Sequence, residues 1–204
     1  MPHTKLDEIL ANIQSLQLDL EQELEKILEE KRVSFQYTLN KGKVRFKKQI
    51  RTLQRQQKTA LYKYFKDAQI RSILSAPIVY SVIIPLIFLD ISVTIYQQLC
   101  FRLYGIPRVV RSNYLVIDRQ HLAYLNFIEK INCMYCGYGN GLVAYVREII
   151  ARTEQYWCPI KHAKKVLDAH QLTENFVDYG DAQAYRNKLK ILRKDVSDNL
   201  SKNA

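Results

Sequence analysis

A long uncharged apolar segment lies in the middle of the chain. The seventeen residues 73–89 contain no charged side chain, and eleven of them are Ile, Leu, Val or Phe. At roughly 0.3 to 0.6 kcal/mol for each of these, insertion into a bilayer gains about 3 to 7 kcal/mol. The apolar character continues to Phe101, with Asp90 as its one charge. We therefore expect residues 72–101 to be a membrane segment, the alternative being the buried core helix of a soluble protein.

The flanks of this segment bear on how it meets the membrane. Pro77 and Pro85 interrupt a straight helix. Basic residues flank both sides: Lys63, Lys66 and Arg71 before the segment, and Arg102, Arg108 and Arg111 after it. Equal positive flanks favour a re-entrant or in-plane hairpin bent at Pro85, with Asp90 reaching toward the headgroups and both ends on the cytoplasmic face. A single-pass helix is the simpler alternative, and Asp90 would then need a partner.

Charge is distributed along the chain in blocks. Residues 1–30 carry a net charge of −6, and residues 31–72 carry +12. A polybasic segment joined to an apolar one is attracted to anionic membrane lipid, by about 1 kcal/mol for each Lys or Arg near the surface. Aromatic residues interleaved with this basic block would also suit nucleic acid, but no helix-turn-helix or RNA-binding signature accompanies them. Anionic lipid is therefore the favoured partner, and nucleic acid is less favoured.

Residues 1–71 are expected to form a helical arm. Apolar residues recur at steps of three or four from Leu6 to Ile27, which predicts a long helix with coiled-coil character. Such a stripe needs a partner: a second copy of the chain or another protein on residues 4–30, or the basic segment folded back. Residues 33–46 fit an alternating strand as well as a helix, and the surrounding Gln, Lys and Arg favour a helix. An amphipathic, acidic segment of this kind is not a signal peptide.

Four soft ligands follow a spacing that is typical of a metal site. Cys133, Cys136, Cys158 and His162 form the pattern C-x2-C-x21-C-x3-H. The glycines of residues 137–141 predict a loop after the first pair, and Pro159 predicts a helix that begins behind Cys158. Three thiolates and one imidazole are typical of structural zinc, with iron or an iron–sulfur cluster as the alternative. Buried apolar cysteines, or a Cys133–Cys136 disulfide, would account for the pattern without metal, although a reducing cytoplasm disfavours the disulfide.

Three further residues could extend this site. Glu129 lies four residues before Cys133, Glu154 lies four residues before Cys158, and His121 precedes Glu129 by eight. As additional ligands they would suit iron, and with it redox or hydrolytic chemistry. Otherwise the two carboxylates lie at the surface or support the ligands, and His121 is a core or surface histidine.

The C-terminal motifs carry a resemblance. The stretches CMYCGYGNG (residues 133–141) and RTEQYWCPIKHA (residues 152–163) resemble an uncharacterised bacterial family of membrane-associated proteins with an apolar segment upstream. The likeness extends over about residues 37–165. It implies a bacterial, membrane-associated protein, and it implies no activity.

These observations predict a mainly α-helical chain in three parts. Residues 1–71 are an acidic and then basic arm, residues 72–101 are the membrane hairpin or helix, and residues 102–204 are a small helical domain stapled by the Cys3His site, with a basic C-terminal helix. The predicted function is a zinc-binding scaffold or interaction protein on the cytoplasmic face of the inner membrane. The alternative is a membrane-associated iron or zinc metalloenzyme or redox protein. A nucleotide enzyme or a common hydrolase is disfavoured, because the sequence has neither a Gly-rich phosphate loop nor a G-x-S-x-G pattern.

Overall fold

The computed structural model describes residues 4–40 and 43–199, and most of them are helical, as predicted. The chain divides into two compact units. Unit 1 consists of Met1–Leu61 and Asp118–Phe127, and unit 2 consists of Tyr62–Ile117 and Ile128–Ala204. The apolar segment, the four cysteines and His162 all belong to unit 2, whereas His121 belongs to unit 1.

Unit 1 begins with a long helix that leads into a β-hairpin. Helix α1 (Thr4–Ser34) is followed by strands β1 (Tyr37–Asn40) and β2 (Lys43–Phe46) and by helix α2 (Lys48–Gln56). The chain leaves α1 at Gln36, whose φ is +51°. The strands are antiparallel and pair Tyr37 with Phe46, whose rings lie 5.5 Å apart. The favoured helix is therefore wrong for residues 37–40 and 43–46, because cross-strand packing of the alternating apolar side chains outweighs the helical preference of the polar ones.

The apolar stripe of α1 is not covered. Its described members are all exposed, by 43% to 69%: Ile9, Ile13, Leu16, Leu20, Leu24 and Ile27. The long helix is confirmed, but the structure does not support the coiled coil, since no described element covers the stripe.

Unit 2 contains one continuous apolar helix. Helices α3 (Leu61–Asp67), α4 (Ile70–Ser81) and α5 (Ile83–Tyr96) are followed by a π-helical turn (Gln97–Phe101) and by α6 (Arg102–Tyr104). From α4 to α6 the backbone forms a single helix, Ile70–Tyr104, of 35 residues. At 1.5 Å per residue it is about 52 Å long. Gly105, with φ +68°, ends it in a left-handed cap.

The predicted hairpin bend at Pro85 is wrong. Val82, between α4 and α5, keeps helical dihedrals of φ −63° and ψ −18°. Pro85 is the third residue of α5, in a first turn that tolerates proline, and Pro77 lies inside α4. The chain therefore continues through both prolines as a helix.

A second long helix runs alongside the first. Helix α7 (Phe127–Trp157) is parallel to the apolar helix, since Tyr80 hydrogen-bonds Asn132 and, further along both helices, Tyr96 hydrogen-bonds Thr153. One face of α7 carries Leu142, Tyr145, Val146 and Ile149 into the core. Residues at these spacings share one side of a helix. The core is completed by residues from the helix end, the following segment and the C-terminal helix: Phe101, Ile106, Val109 and Val196.

The glycines predicted as a loop lie within α7. Gly137 and Gly141 are four residues apart and face the segment that returns from Gly105 toward α7. A Cβ on Gly141 would lie 2.6 Å from the carbonyl oxygen of Tyr114, and one on Gly137 would lie 3.4 Å from that of Val116. The loop prediction is wrong because these glycines are used for close backbone approach along a helix face rather than for a turn.

The helix predicted to start at Pro159 is also wrong. Residues 158–170 are irregular apart from an isolated parallel bridge between Ile160 and Val177. Val177 N–H donates to the Pro159 carbonyl at 2.9 Å, and Lys161 N–H donates to the Val177 carbonyl at 2.8 Å. These backbone groups are thus committed to a strand-like pairing. The predicted C-terminal helix is confirmed as α8 (Ala182–Asn199).

Candidate functional site

The four predicted metal ligands lie on separate parts of unit 2. Cys133 and Cys136 are in the first half of α7, Cys158 follows the last residue of that helix, and His162 lies in the irregular segment beyond it. At 1.5 Å per residue, Cys136 and Cys158 are about 33 Å apart along the helix axis. Zinc–sulfur bonds of about 2.3 Å require all ligands of one ion within a few ångströms. The structure therefore does not bring the first pair to the second.

A metal centre is not supported elsewhere in the described chain either. Within residues 4–40 and 43–199, no group of three or more His, Cys, Asp or Glu side chains could hold an ion. The Cys3His staple therefore has no support in the geometry. Zinc, iron or an iron–sulfur cluster stays a prediction from the cysteine spacing alone.

The three additional candidates lie on different elements of the chain. Glu129 is in the first turn of α7, and His121 closes a short 3-10 turn in unit 1. Glu154 lies near the end of α7, where its Oε2 is 2.8 Å from Nε2 of His170. His170 was not predicted as a partner of Glu154; it is partly buried and packs against the ring of Phe176 at 5.5 Å.

The apolar helix presents a largely uncovered surface. Ile70–Tyr104 has a mean hydropathy of 2.3 over its most apolar 18 residues, and only 6% of that window is buried. Four residues illustrate the exposed face, each about 70% exposed: Leu74, Ile78, Ile84 and Phe88. This helix is long and apolar enough to cross a membrane. The prediction of an apolar helix of spanning length is thus confirmed.

Two charged residues mark the ends of an uncharged run in the first half of this helix. Residues 72–89 are eighteen uncharged residues between Arg71 and Asp90. They measure about 27 Å along the axis, close to the roughly 30 Å of a bilayer's hydrocarbon core. Arg71 lies in the first turn of α4, where Nε donates to Gln69 at 2.6 Å, and Lys63 and Lys66 lie exposed on α3. The predicted basic flank is therefore solvent-accessible directly before the uncharged run.

Asp90 is the centre of a polar cluster on the protein-facing side of the apolar helix. Its Oδ2 accepts from Nη2 of Arg111 at 2.6 Å and from the hydroxyl of Tyr138 at 2.9 Å. The carboxylate is only 14% exposed, whereas the Arg111 side chain is 48% exposed. The partner that the sequence analysis required for Asp90 is thus present.

The protonation states in this cluster are complementary. The hydrogen bond to Asp90 raises the pKa of Arg111 above its usual value, which keeps the guanidinium charged. Burial raises the pKa of Tyr138, and its hydrogen bond to Asp90 raises it further, so that the phenol keeps the proton it donates. The Asp90 carboxylate is therefore stabilised by the positive charge of Arg111 and by the neutral hydroxyl donor of Tyr138.

A buried glutamine joins the apolar helix to the returning segment. Gln97 accepts the Val109 N–H at 2.7 Å and donates to the Tyr145 hydroxyl at 2.9 Å. Its side chain is buried, so these bonds satisfy groups that would otherwise be costly to bury. Neither Gln97 nor Tyr145 could be identified from the sequence as a buried hydrogen-bonding partner, because nothing in their spacing indicates a contact over 48 residues.

Several cavities flank the apolar helix in the described part of the chain, and two of them bear on function. One, of about 720 Å³, opens between α3, α4 and α7 and is lined almost entirely by apolar and aromatic side chains, with Cys136 at its wall. The other, of about 410 Å³, lies beyond Asp90 between the end of α5 and the returning segment, and it is lined mainly by polar side chains.

No protein-family model matches the chain, and no curated protein and no solved structure matches it either.

Proposed function

We propose that the protein is a membrane-anchored interaction protein, held in the bilayer by the helix Ile70–Tyr104. The observation that carries this proposal is that the most apolar part of the helix is only 6% buried. The core helix of a soluble protein would be covered on most of its surface, because exposed apolar area costs about 25 cal/mol per Å². Lipid is the solvent that removes this cost.

The continuous helix favours a single pass. The expectation that both ends stay on the cytoplasmic face depended on a bend at Pro85, and the helix continues through that residue. Residues 31–72, with a net charge of +12, then lie on the cytoplasmic face of the inner membrane, where basic segments and anionic lipid are found together. Tyr104 then lies on the other side. Residues 106–117 return along the helix, and α7 runs parallel to it from the level of Tyr80 to that of Tyr96, so that α7 and the chain after it end on the far side.

Helix α1 supplies the interaction surface, and its occupant is a second copy of the chain. A 31-residue helix with an exposed apolar stripe gains most of its stability from a partner. Residues 19–30 hold six acidic residues and one Lys. An antiparallel pair places each acidic half beside the less charged half of its partner, whereas a parallel pair places the acidic halves together.

The metalloenzyme alternative has less support. It requires Cys133, Cys136, Cys158 and His162 at one ion, but the first two lie in the first half of α7, whereas the last two lie beyond its end. The geometry therefore favours the anchored interaction protein.

Flotation of cell membranes on a density gradient tests the anchor. Wild-type protein should float with the membranes in high salt, because salt screens the basic arm but leaves apolar burial intact. The double variant Ile84→Asp/Phe88→Asp places two carboxylates on the exposed face of the helix. It should cost about 6 to 8 kcal/mol of insertion free energy, which offsets the apolar gain of about 3 to 7 kcal/mol, and the protein should no longer float.

The matched control for flotation is Leu16→Asp/Leu20→Asp on α1. It makes the same kind of change on an exposed stripe outside the anchor, and it should float like wild type. Wild-type protein that stays in the soluble fraction at low salt, or control protein that is lost equally, would show that the helix is no anchor.

A further inference from the structure

The cavity beyond Asp90 is a cleft with two arginines in its wall. Its volume is about 410 Å³. One wall comes from the end of the apolar helix and the other from the returning segment, and the polar lining consists of Thr94, Gln97, Gln98, Arg108, Arg111 and Tyr145. No Asp or Glu is among the described residues that line it. The lining itself is therefore positively charged.

The two arginines are held in different ways. Arg111 uses Nε and Nη2 on Asp90, so that its charge is largely balanced. Arg108 donates from Nη1 to the amide oxygen of Gln98 at 2.7 Å. A neutral amide orients the guanidinium without cancelling its charge. Arg108 is thus a fixed cation with further N–H donors for an anion.

The position of the cleft along the apolar helix indicates which anion is close enough to bind there. If residues 72–89 cross the hydrocarbon core, as the proposed function requires, Thr94 and Gln98 lie about 6 and 12 Å beyond Asp90. Each interfacial layer of a bilayer is about 5 to 8 Å thick. The cleft therefore starts at the depth of the lipid phosphates.

We propose that this cleft binds a phosphate group, with Arg108 as its principal ligand and the Gln98 amide beside it. The phosphate comes from the headgroup of an anionic phospholipid or from free phosphate. Planar guanidinium groups bind phosphate oxygens through paired, charge-assisted hydrogen bonds, which a neutral replacement cannot make.

Titration calorimetry on the full chain tests this site. The protein is kept in a nonionic detergent without phosphate, and the two probes are inorganic phosphate and short-chain dihexanoyl phosphatidylglycerol. Wild type should show one saturable site for at least one probe, and Arg108→Gln should bind it at least about tenfold more weakly. The matched control is Arg102→Gln, which removes a nearby exposed charge outside the cleft and should weaken binding about fivefold at most.

The two probes distinguish the sources of the phosphate. Lipid binding at least about tenfold tighter than inorganic phosphate assigns the site to a headgroup, and equal binding assigns it to free phosphate. Binding of neither probe, or equal losses in Arg108→Gln and Arg102→Gln, overturns the site. Should circular dichroism show that Arg108→Gln does not fold, Arg108→Lys decides the question: it keeps the charge but not the planar fork, and unchanged binding would count against the proposal. Since the titration needs no bilayer, its result is independent of the flotation experiment.

Discussion

Gly141 marks the closest backbone contact recorded for the glycines of α7. Alanine there would place its Cβ 2.6 Å from the Tyr114 carbonyl oxygen and 3.0 Å from the Cα of Leu115. Both neighbours are backbone atoms, so that the returning segment would have to move. We expect Gly141→Ala to lose about 1 to 2 kcal/mol of stability, because overpacking outweighs the gain in helix propensity. Thermal unfolding followed by circular dichroism measures this change.

Gly139 provides the matched control on the same helix. Its Cβ would lie 3.5 Å from Cδ1 of Leu86, which is an ordinary contact with a side chain. Gly139→Ala should therefore be neutral or gain up to about 1 kcal/mol from helix propensity. If both variants raised the melting temperature equally, the close approach at Gly141 would be wrong.

Asp90 shows what a single residue in the sequence can and cannot predict. A carboxylate in an apolar segment requires a compensating group, and this much follows from the sequence. The identity of the partners does not follow, because Arg111 and Tyr138 lie 21 and 48 residues further on. They reach Asp90 only because the chain returns along the helix and α7 then runs parallel to it.

At the scale of elements, glycine and proline were the least reliable signals. The glycines between Cys136 and Leu142 predicted a loop, but all of them lie inside a helix, where Gly137 and Gly141 pack closely against residues 114–116. Pro159 predicted a helix start, but its carbonyl pairs with Val177. Both residue types have several structural uses, and long-range contacts that are invisible in the local pattern decide among them.

The helix at residues 137–141 and the irregular segment after Cys158 separate the predicted metal ligands. In this arrangement Cys136 and Cys158 serve no common ion, and both side chains are exposed. Cys136→Ser and Cys158→Ser should each change stability by no more than about 0.5 kcal/mol, as is usual for surface substitutions. Thermal unfolding with and without a chelator, together with elemental analysis, measures the dependence on metal. Unfolding by the chelator, with stoichiometric zinc lost from either variant, would restore the Cys3His site.

Helix α1 is confirmed as a long helix, and no described element covers its apolar stripe. If a second copy covers the stripe, Leu16→Asp/Leu20→Asp should convert a dimer into a monomer, because two carboxylates would be buried in the seam. Sedimentation equilibrium of the full chain in detergent measures the mass. Val33→Asp is the control: it makes the same change at an exposed position of α1 outside residues 4–30 and should leave the mass unchanged. Wild-type protein that sediments as a monomer would contradict the dimer.

At the scale of the whole molecule, the mainly helical fold and the long apolar helix could be predicted from the sequence, because both depend on composition and local periodicity. The path of the chain within and after that helix could not be predicted from the sequence. Two prolines and equal basic flanks suggested a bend, whereas the helix continues from Ile70 to Tyr104. In the topology that we propose, the two ends of this helix lie on opposite sides of the membrane, whereas the predicted hairpin kept both on the cytoplasmic face.

Paired topology reporters test the single pass most directly. One reporter is fused after Arg71, directly before the uncharged run of residues 72–89, and the other follows Ala204. Each is read with an enzyme that is active only in the cytoplasm and with one that is active only outside it. A single pass of the apolar helix predicts a cytoplasmic signal after Arg71 and an external signal after Ala204. The basic arm stays with the anionic leaflet, and the helix does not turn back. Cytoplasmic signals from both fusions would contradict it.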